Sequence, residues 1–265
     1  MSERVKIEYR DHIAIVSLNR AEKKNALDYP MFEAIIESQK TIEAKASVRA
    51  VVLTGSGGCF CAGMDLANFS PDMKEESEAK LADRQYGITN LYQAVGFGWR
   101  ELSVPVIAAV DGYCFGGGLQ IMLGADIKYM HPDTKCSILE MRWGIIPDMA
   151  GSVLMRHSVR DDIIRELTYT NRVFSGTEAV EYGFATHVSN EPLEDAIKLA
   201  EEIALKNPHA IVNAKQLFNE VPYLNPEEAL QKETDLQSEL LMSKNQLEAV
   251  FAGLAKSKPN FEDYR

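Results

Sequence analysis

The stretch Pro105 to Gly151, PVIAAVDGYCFGGGLQIMLGADIKYMHPDTKCSILEMRWGIIPDMAG, sets the terms for the rest of the chain. Val106 to Val110 is an apolar run of strand length, Asp111 and Gly112 interrupt it, and Gly116, Gly117 and Gly118 lead straight into an apolar helical pattern from Leu119 to Gly124. Strand, tight turn and helix N-terminus succeed one another without a spacer. Glycines let the main chain approach a ligand closely, and the first N–H groups of a helix lack intrahelical partners, so an oxygen anion suits such a turn. Triple glycine equally serves close packing of a helix on a strand. The residues beyond the helix favour a site. Ser137 to Glu140 reads as a short strand ending on a carboxylate, and Asp148 comes after it in Gly144-Ile145-Ile146-Pro147-Asp148. Two acids in an apolar neighbourhood are costly unless paired or used.

Val5 to Tyr9 and Ile13 to Leu18 read as a hairpin, followed by a polar loop from Asn19 to Ala26. Asp28 is a helix N-cap with Pro30 in the first turn, and Met31, Phe32, Ile35, Ile36 and Ile42 recur at helical spacing. Ala50 to Thr54 is a compact strand. Ser70 to Asp83, acidic and opening on Pro71, reads as a mobile loop or frayed helix, and Leu81 to Val95 as a helix broken near Gly96-Phe97-Gly98. Arg160 to Thr168 and Phe174 to Tyr182 read as helices, and Ala185 to Val188 as a strand. Strands alternating with helices to about residue 190 predict an α/β core over 1–190. Beyond it, Leu193 to Leu205, Pro208 to Glu220, Pro226 to Met242 and Asn245 to Lys256 predict a helical region over 191–265.

A chain of 265 residues can bury one large core. The net charge of −11 argues against nonspecific nucleic-acid binding, which relies on excess positive charge. The charged N-terminus MSERVKIEYRD and the lack of any bilayer-length apolar run predict a soluble, cytoplasmic protein with no membrane partner. Cys59, Cys61, Cys114 and Cys136 show no zinc-site spacing and read as small buried hydrophobes.

AAVDGYCFGGGLQIMLGADI followed by LEMRWGIIPDMAG resembles the signature of the crotonase family, the enoyl-CoA hydratase/isomerase superfamily. The block from Leu53-Thr54-Gly55 through Cys59 to Leu66 is similar to the family's other recurrent loop, and NRAEKKNAL resembles its coenzyme A segment. The resemblance implies a repeated ββα spiral core with a C-terminal helical oligomerisation region, forming a homotrimer or a dimer of trimers. The helices taken alone fit a lid on their own subunit equally well. It further implies an acyl-CoA thioester substrate, no metal, and no cofactor beyond the coenzyme A that belongs to the substrate. The backbone N–H groups of Met64 and Gly117 would form an oxyanion hole, and Lys24, Ala26, Ala62, Asp65 and Leu66 would contact coenzyme A. The region after Ser70 would line the acyl pocket. Lys23, Lys256 and Lys258 are further cations, each with a solvated surface role open to it. Gly253 stands where the family often has an aromatic residue facing the adenine.

Hydratases of the family use two glutamates, one just after the glycine triplet and one at the position of Glu140. The first is Gln120 here. A glutamine holds water or an amide by hydrogen bonding but exchanges no proton at neutral pH. Dienoyl-CoA isomerases of the family pair a glutamate and an aspartate at the spacing of Glu140 and Asp148, and also carry an aspartate at the position of Gln120. Glu140 is therefore the expected acid/base, Asp148 the second proton carrier, and Gln120 a residue orienting substrate or water. Structural roles remain open: Asp148 as a helix N-cap before Met149-Ala150-Gly151, and Glu140 as a partner of Arg142. Trp99 and Trp143 read as packing residues, and Arg156, Asp161, Asp162 and Arg165 as helix-surface charges. The rival functions are a noncatalytic acyl-CoA-binding protein and a thioester hydrolase or decarboxylase built on the same oxyanion hole.

Overall fold

The structure is a computed structural model that describes residues 4–69, 72 and 74–265. Strands β1 (Val5–Arg10) and β2 (Ile13–Leu18) pair antiparallel across a tight turn in which Asp11 takes φ 48°. Helix α1 (Tyr29–Glu43) begins where expected: Asp28 accepts the Met31 N–H at 3.0 Å, and the five apolar residues at helical spacing are all buried. Strand β3 (Ala50–Gly55) then lies parallel to β2.

Next come helices α2 (Lys74–Ala82) and α3 (Leu91–Glu101), strands β4 (Val106–Val110) and β5 (Tyr113–Phe115), and helix α4 (Gly117–Leu123). Strands β6 (Ile127–Met130) and β7 (Lys135–Ser137) are followed by helices α5 (Gly151–Met155) and α6 (Asp161–Thr170). Strand β8 (Phe174–Ser175), helix α7 (Gly176–Tyr182) and strand β9 (His187–Val188) complete the sheets. The larger sheet has the order β1-β2-β3-β4-β6-β9, parallel beyond β2, and the smaller the order β5-β7-β8. Consecutive strands β4 and β5, then β6 and β7, enter the larger and the smaller sheet in turn, and Cys61 after β3 bridges to Cys114 of β5. This is the expected spiral of repeated ββα units.

Three local differences from the sequence reading have physical causes. Helix α3 runs through Gly96 and Gly98 instead of breaking there, because a Cβ at Gly96 would lie 2.7 Å from the Met149 carbonyl oxygen and one at Gly98 would strike Gln39. Those glycines serve close packing, and the helix starts afresh at an Asn90–Gln93 capping box. Strand β7 stops at Ser137, so Glu140 opens a 3-10 turn (Glu140–Trp143) rather than closing a strand. Ser175 ends a two-residue strand and caps α7, which shortens the helix read from Phe174. Of the acidic stretch after Ser70, positions 70, 71 and 73 lie outside the described residues, and α2 forms most of the remainder.

Strand β4 is buried throughout, since both faces of its sheet are covered. One face packs against α1, α3 and α4 with Phe32, Trp99 and Leu119 in a single core. The other is closed by helix α8 (Pro192–Ala204), whose Ala196 and Ala200 sit on Ile13, Ile15, Ala50, Val52, Ile107 and Ala109. The first helix of the 191–265 region is thus a layer of the core. Helices α9 (Pro208–Glu220), α10 (Pro226–Leu240) and α11 (Lys244–Ala255) follow. Among the described residues no helix is long and apolar enough to cross a membrane.

Lys215 pins α9 to the core. Its buried ammonium lies 2.9 Å from Asp126 and donates to the carbonyls of Val104 and Trp99 at 2.8 and 3.2 Å. Breaking such a pair leaves a half-buried charge and two carbonyls unmatched, so Lys215→Ala should cost about 3 kcal/mol in urea unfolding.

Candidate active site

Two loops meet at the start of α4. The Leu27 N–H donates to the Gly63 carbonyl and the Asp65 N–H to the Leu27 carbonyl, each at 2.9 Å, so this bridge passes over the Met64 N–H, which takes no backbone partner among the described residues. The Gly117 N–H, first in α4, likewise takes no backbone partner among the described residues. Gly63 has φ +91°, and a Cβ there would meet the Phe115 carbonyl oxygen at 2.8 Å and the Gly117 nitrogen at 3.9 Å. Only glycine lets the two loops approach this closely.

Met64 and Gly117 border one cavity of about 350 Å³, together with Glu140 and Asp148. Glu140 is 5% exposed. Its Oε1 accepts from Gln120 Nε2 at 2.6 Å, whereas Oε2 is buried and takes no hydrogen bond among the described residues. Burial, and more weakly the neighbouring Asp148 charge, hold the Glu140 carboxyl above its ordinary value, against the opposing hydrogen bonds from its own backbone and Gln120. Burial also raises Asp148. Asp148 does not cap a helix: α5 begins at Gly151 after Ala150 and has no side-chain cap bond. Nor does Arg142 pair with Glu140. Its guanidinium lies 5.6 Å from the Trp143 ring, and among the described residues no ion pair reaches Glu140.

Gln120 sits behind Glu140 rather than on the cavity wall. It is 2% exposed, and its Oε1 accepts the N–H groups of Met149 at 2.9 Å and Gly151 at 2.8 Å. Both of its polar atoms are therefore engaged with protein.

Ala26, Ala62, Asp65 and Leu66 all border the cavity. Asp65 accepts the Ala67 N–H at 3.1 Å and pairs with Arg20 at 2.6 Å, contacts that lower its carboxyl below the ordinary range. Lys23 is the lysine on this wall; the ammonium of Lys24 lies over the Tyr113 ring, 4.2 Å from its centroid. Lys258 borders a separate cavity with His12 and Arg49, Lys256 follows α11 in the left-handed conformation, and Gly253 faces open space.

Trp143 corrects the sequence reading. Trp99 is a fully buried packing residue, but Trp143 is 45% exposed and stands on the cavity wall with Phe69 and Ile145. Its place one 3-10 turn beyond Glu140 was the available signal. The cysteines are all buried, and burial pushes the Cys61 thiol up to about 12, far from a thiolate.

A fold with paired strands spiralling between two sheets, together with this cavity, defines the class of crotonase-fold enzymes. The family model described as enoyl-CoA hydratase/isomerase matches residues 8–264, and the chain belongs to that family. Enoyl-CoA hydratase EchA19 of Mycobacterium tuberculosis is 30% identical over 259 residues, 97% of this chain and 96% of that one. The mitochondrial Delta(3,5)-Delta(2,4)-dienoyl-CoA isomerase of Mus musculus is 29% identical over 211 residues, 77% of this chain and 64% of that one. A crystal structure of enoyl-CoA hydratase from Bacillus anthracis superimposes with a TM-score of 0.87 at 28% identity, covering 97% of this chain and 98% of its own.

Proposed function

We propose that this enzyme takes an unsaturated acyl-CoA thioester and shifts its double bond by acid–base proton transfer between Glu140 and Asp148. One observation carries this reading: two carboxyls, both raised by burial, border the same cavity as two backbone N–H groups that take no backbone partner among the described residues. The thioester oxygen accepts from the Met64 and Gly117 N–H groups, which are fixed and need no reorganisation as negative charge develops. Glu140 removes a proton from carbon, the electron pair delocalises into the thioester oxygen, and protonated Asp148 returns a proton at the far end of the dienolate.

Hydration is the second reading, favoured by the identity to EchA19. There Glu140 would activate the water, with no second carboxyl at position 120. Coenzyme A would lie along Ala26, Ala62, Asp65 and Leu66, with Lys23 and Lys24 near its phosphates. No metal or separate cofactor is required by this chemistry. The exposed apolar residues Phe218, Leu230, Phe251 and Leu254 on α9 to α11 support a homotrimer or dimer of trimers built through 191–265. A soluble, cytoplasmic enzyme remains the expected setting.

Mass spectrometry of 2-enoyl-, 3-enoyl- and dienoyl-CoA thioesters incubated with the enzyme in deuterated water tests the reading. An isomer without added water supports it; a product heavier by one water moves the assignment to hydration. No turnover despite tight binding sinks both. Asp148→Asn should slow isomerisation about 100-fold while sparing any hydration that uses Glu140 alone.

A further inference from the structure

We infer that Gln120 is the positioning residue of this site: its amide fixes which oxygen of Glu140 reacts and ties the Asp148 turn to the same carboxyl. The inference rests on the acid–base reading of Glu140 and Asp148. The amide has one possible orientation. Two backbone N–H groups, from Met149 and Gly151, point at one of its polar atoms, which must be the carbonyl oxygen; the other, Nε2, then donates to Glu140.

With Oε1 of Glu140 held at 2.6 Å, Oε2, which takes no hydrogen bond among the described residues, is the oxygen left to take a proton. The same amide braces the turn that carries Asp148. Its two backbone donors straddle Ala150, a non-glycine residue at φ 71°, in the left-handed conformation that strains L-residues. Gly151 is part of the fit, because a Cβ there would lie 2.7 Å from Gln120 Oε1.

A glutamate at this position could accept the same two N–H groups. Its second oxygen would then face Glu140 Oε1, and two carboxylates so close must share a proton. The amide instead keeps Glu140 a single base, with Asp148 as the other carboxyl on the same cavity. The other charged groups bordering this cavity are Lys23 and Asp65, the latter tied to Arg20; the Arg142 guanidinium lies 5.6 Å from the Trp143 ring.

Carbon-13 NMR titration of the Glu140 carboxyl in the wild type and Gln120→Glu, alongside pH profiles of kcat and KM, tests this role. Gln120→Glu should move the Glu140 titration and the acid limb of kcat to higher pH together, with at least a 10-fold loss of kcat on that limb and KM changed less than 3-fold. Gln120→Asn, neutral and too short to make all three bonds, should also raise the Glu140 titration and gives the same test if the first variant does not fold. An unmoved Glu140 titration in a folded variant overturns the inference. A shifted titration in a protein that turns over no unsaturated thioester keeps Gln120 as the positioning residue and overturns the functional reading instead.

Discussion

Glu140→Gln should lower turnover of the unsaturated thioester by about 1000-fold while leaving thioester binding nearly unchanged. The amide keeps the shape and can still meet Gln120, but it has no carboxylate oxygen to take a proton. A noncatalytic binding protein would show no turnover to lose, so kcat measured beside a binding constant separates the two. The wild-type rate should fall as pH drops through the Glu140 value, at a limb above the ordinary carboxylate range. The same substitution should raise stability. Burial lifts the carboxyl's value, so the folded protein holds that proton more tightly than the unfolded chain does. Its contribution is complete below the ordinary carboxylate range and is lost as pH rises through the elevated value. The melting temperature of Glu140→Gln should therefore gain on the wild type with rising pH across that window.

Gly63→Ala should lower kcat by about 100-fold or more, because it parts the two loops that bring the Met64 and Gly117 N–H groups together. The new methyl would sit 2.8 Å from the Phe115 carbonyl oxygen, a backbone atom with nowhere cheap to go, at a φ of +91°. Gly58→Ala is the matched control. Gly58 has φ +67° but nothing within 4 Å of the added Cβ, so it carries the backbone strain without the collision. A larger stability loss in Gly63→Ala than in Gly58→Ala, with activity in the folded protein lost only in Gly63→Ala, is the expected pattern; equal activity in both would remove these N–H groups from the proposed chemistry.

The loops and their acids were legible in the chain because their signals are local. Three glycines before a helical pattern, and Asp28 before Pro30, each dictate a backbone path within a few residues. Partnerships across the chain were not. Nothing local distinguishes glycines that break a helix from Gly96 and Gly98, which admit Met149 and Gln39 to the side of one. Gln120 showed its type in the sequence but not its bonds, which reach Glu140, Met149 and Gly151. Trp143 looked like any core aromatic until the 3-10 turn set it on the cavity wall.

Helix α8 carries a consequence for the order in which the protein is made. The sheet face under Ala196 and Ala200 is built from residues between Ile13 and Ala109, long before α8 leaves the ribosome. During that interval Ile13, Ile15, Val52 and Ile107 form an uncovered aliphatic surface on a largely parallel sheet, the kind of nascent intermediate that invites aggregation. The helix that arrives late is the one that closes it.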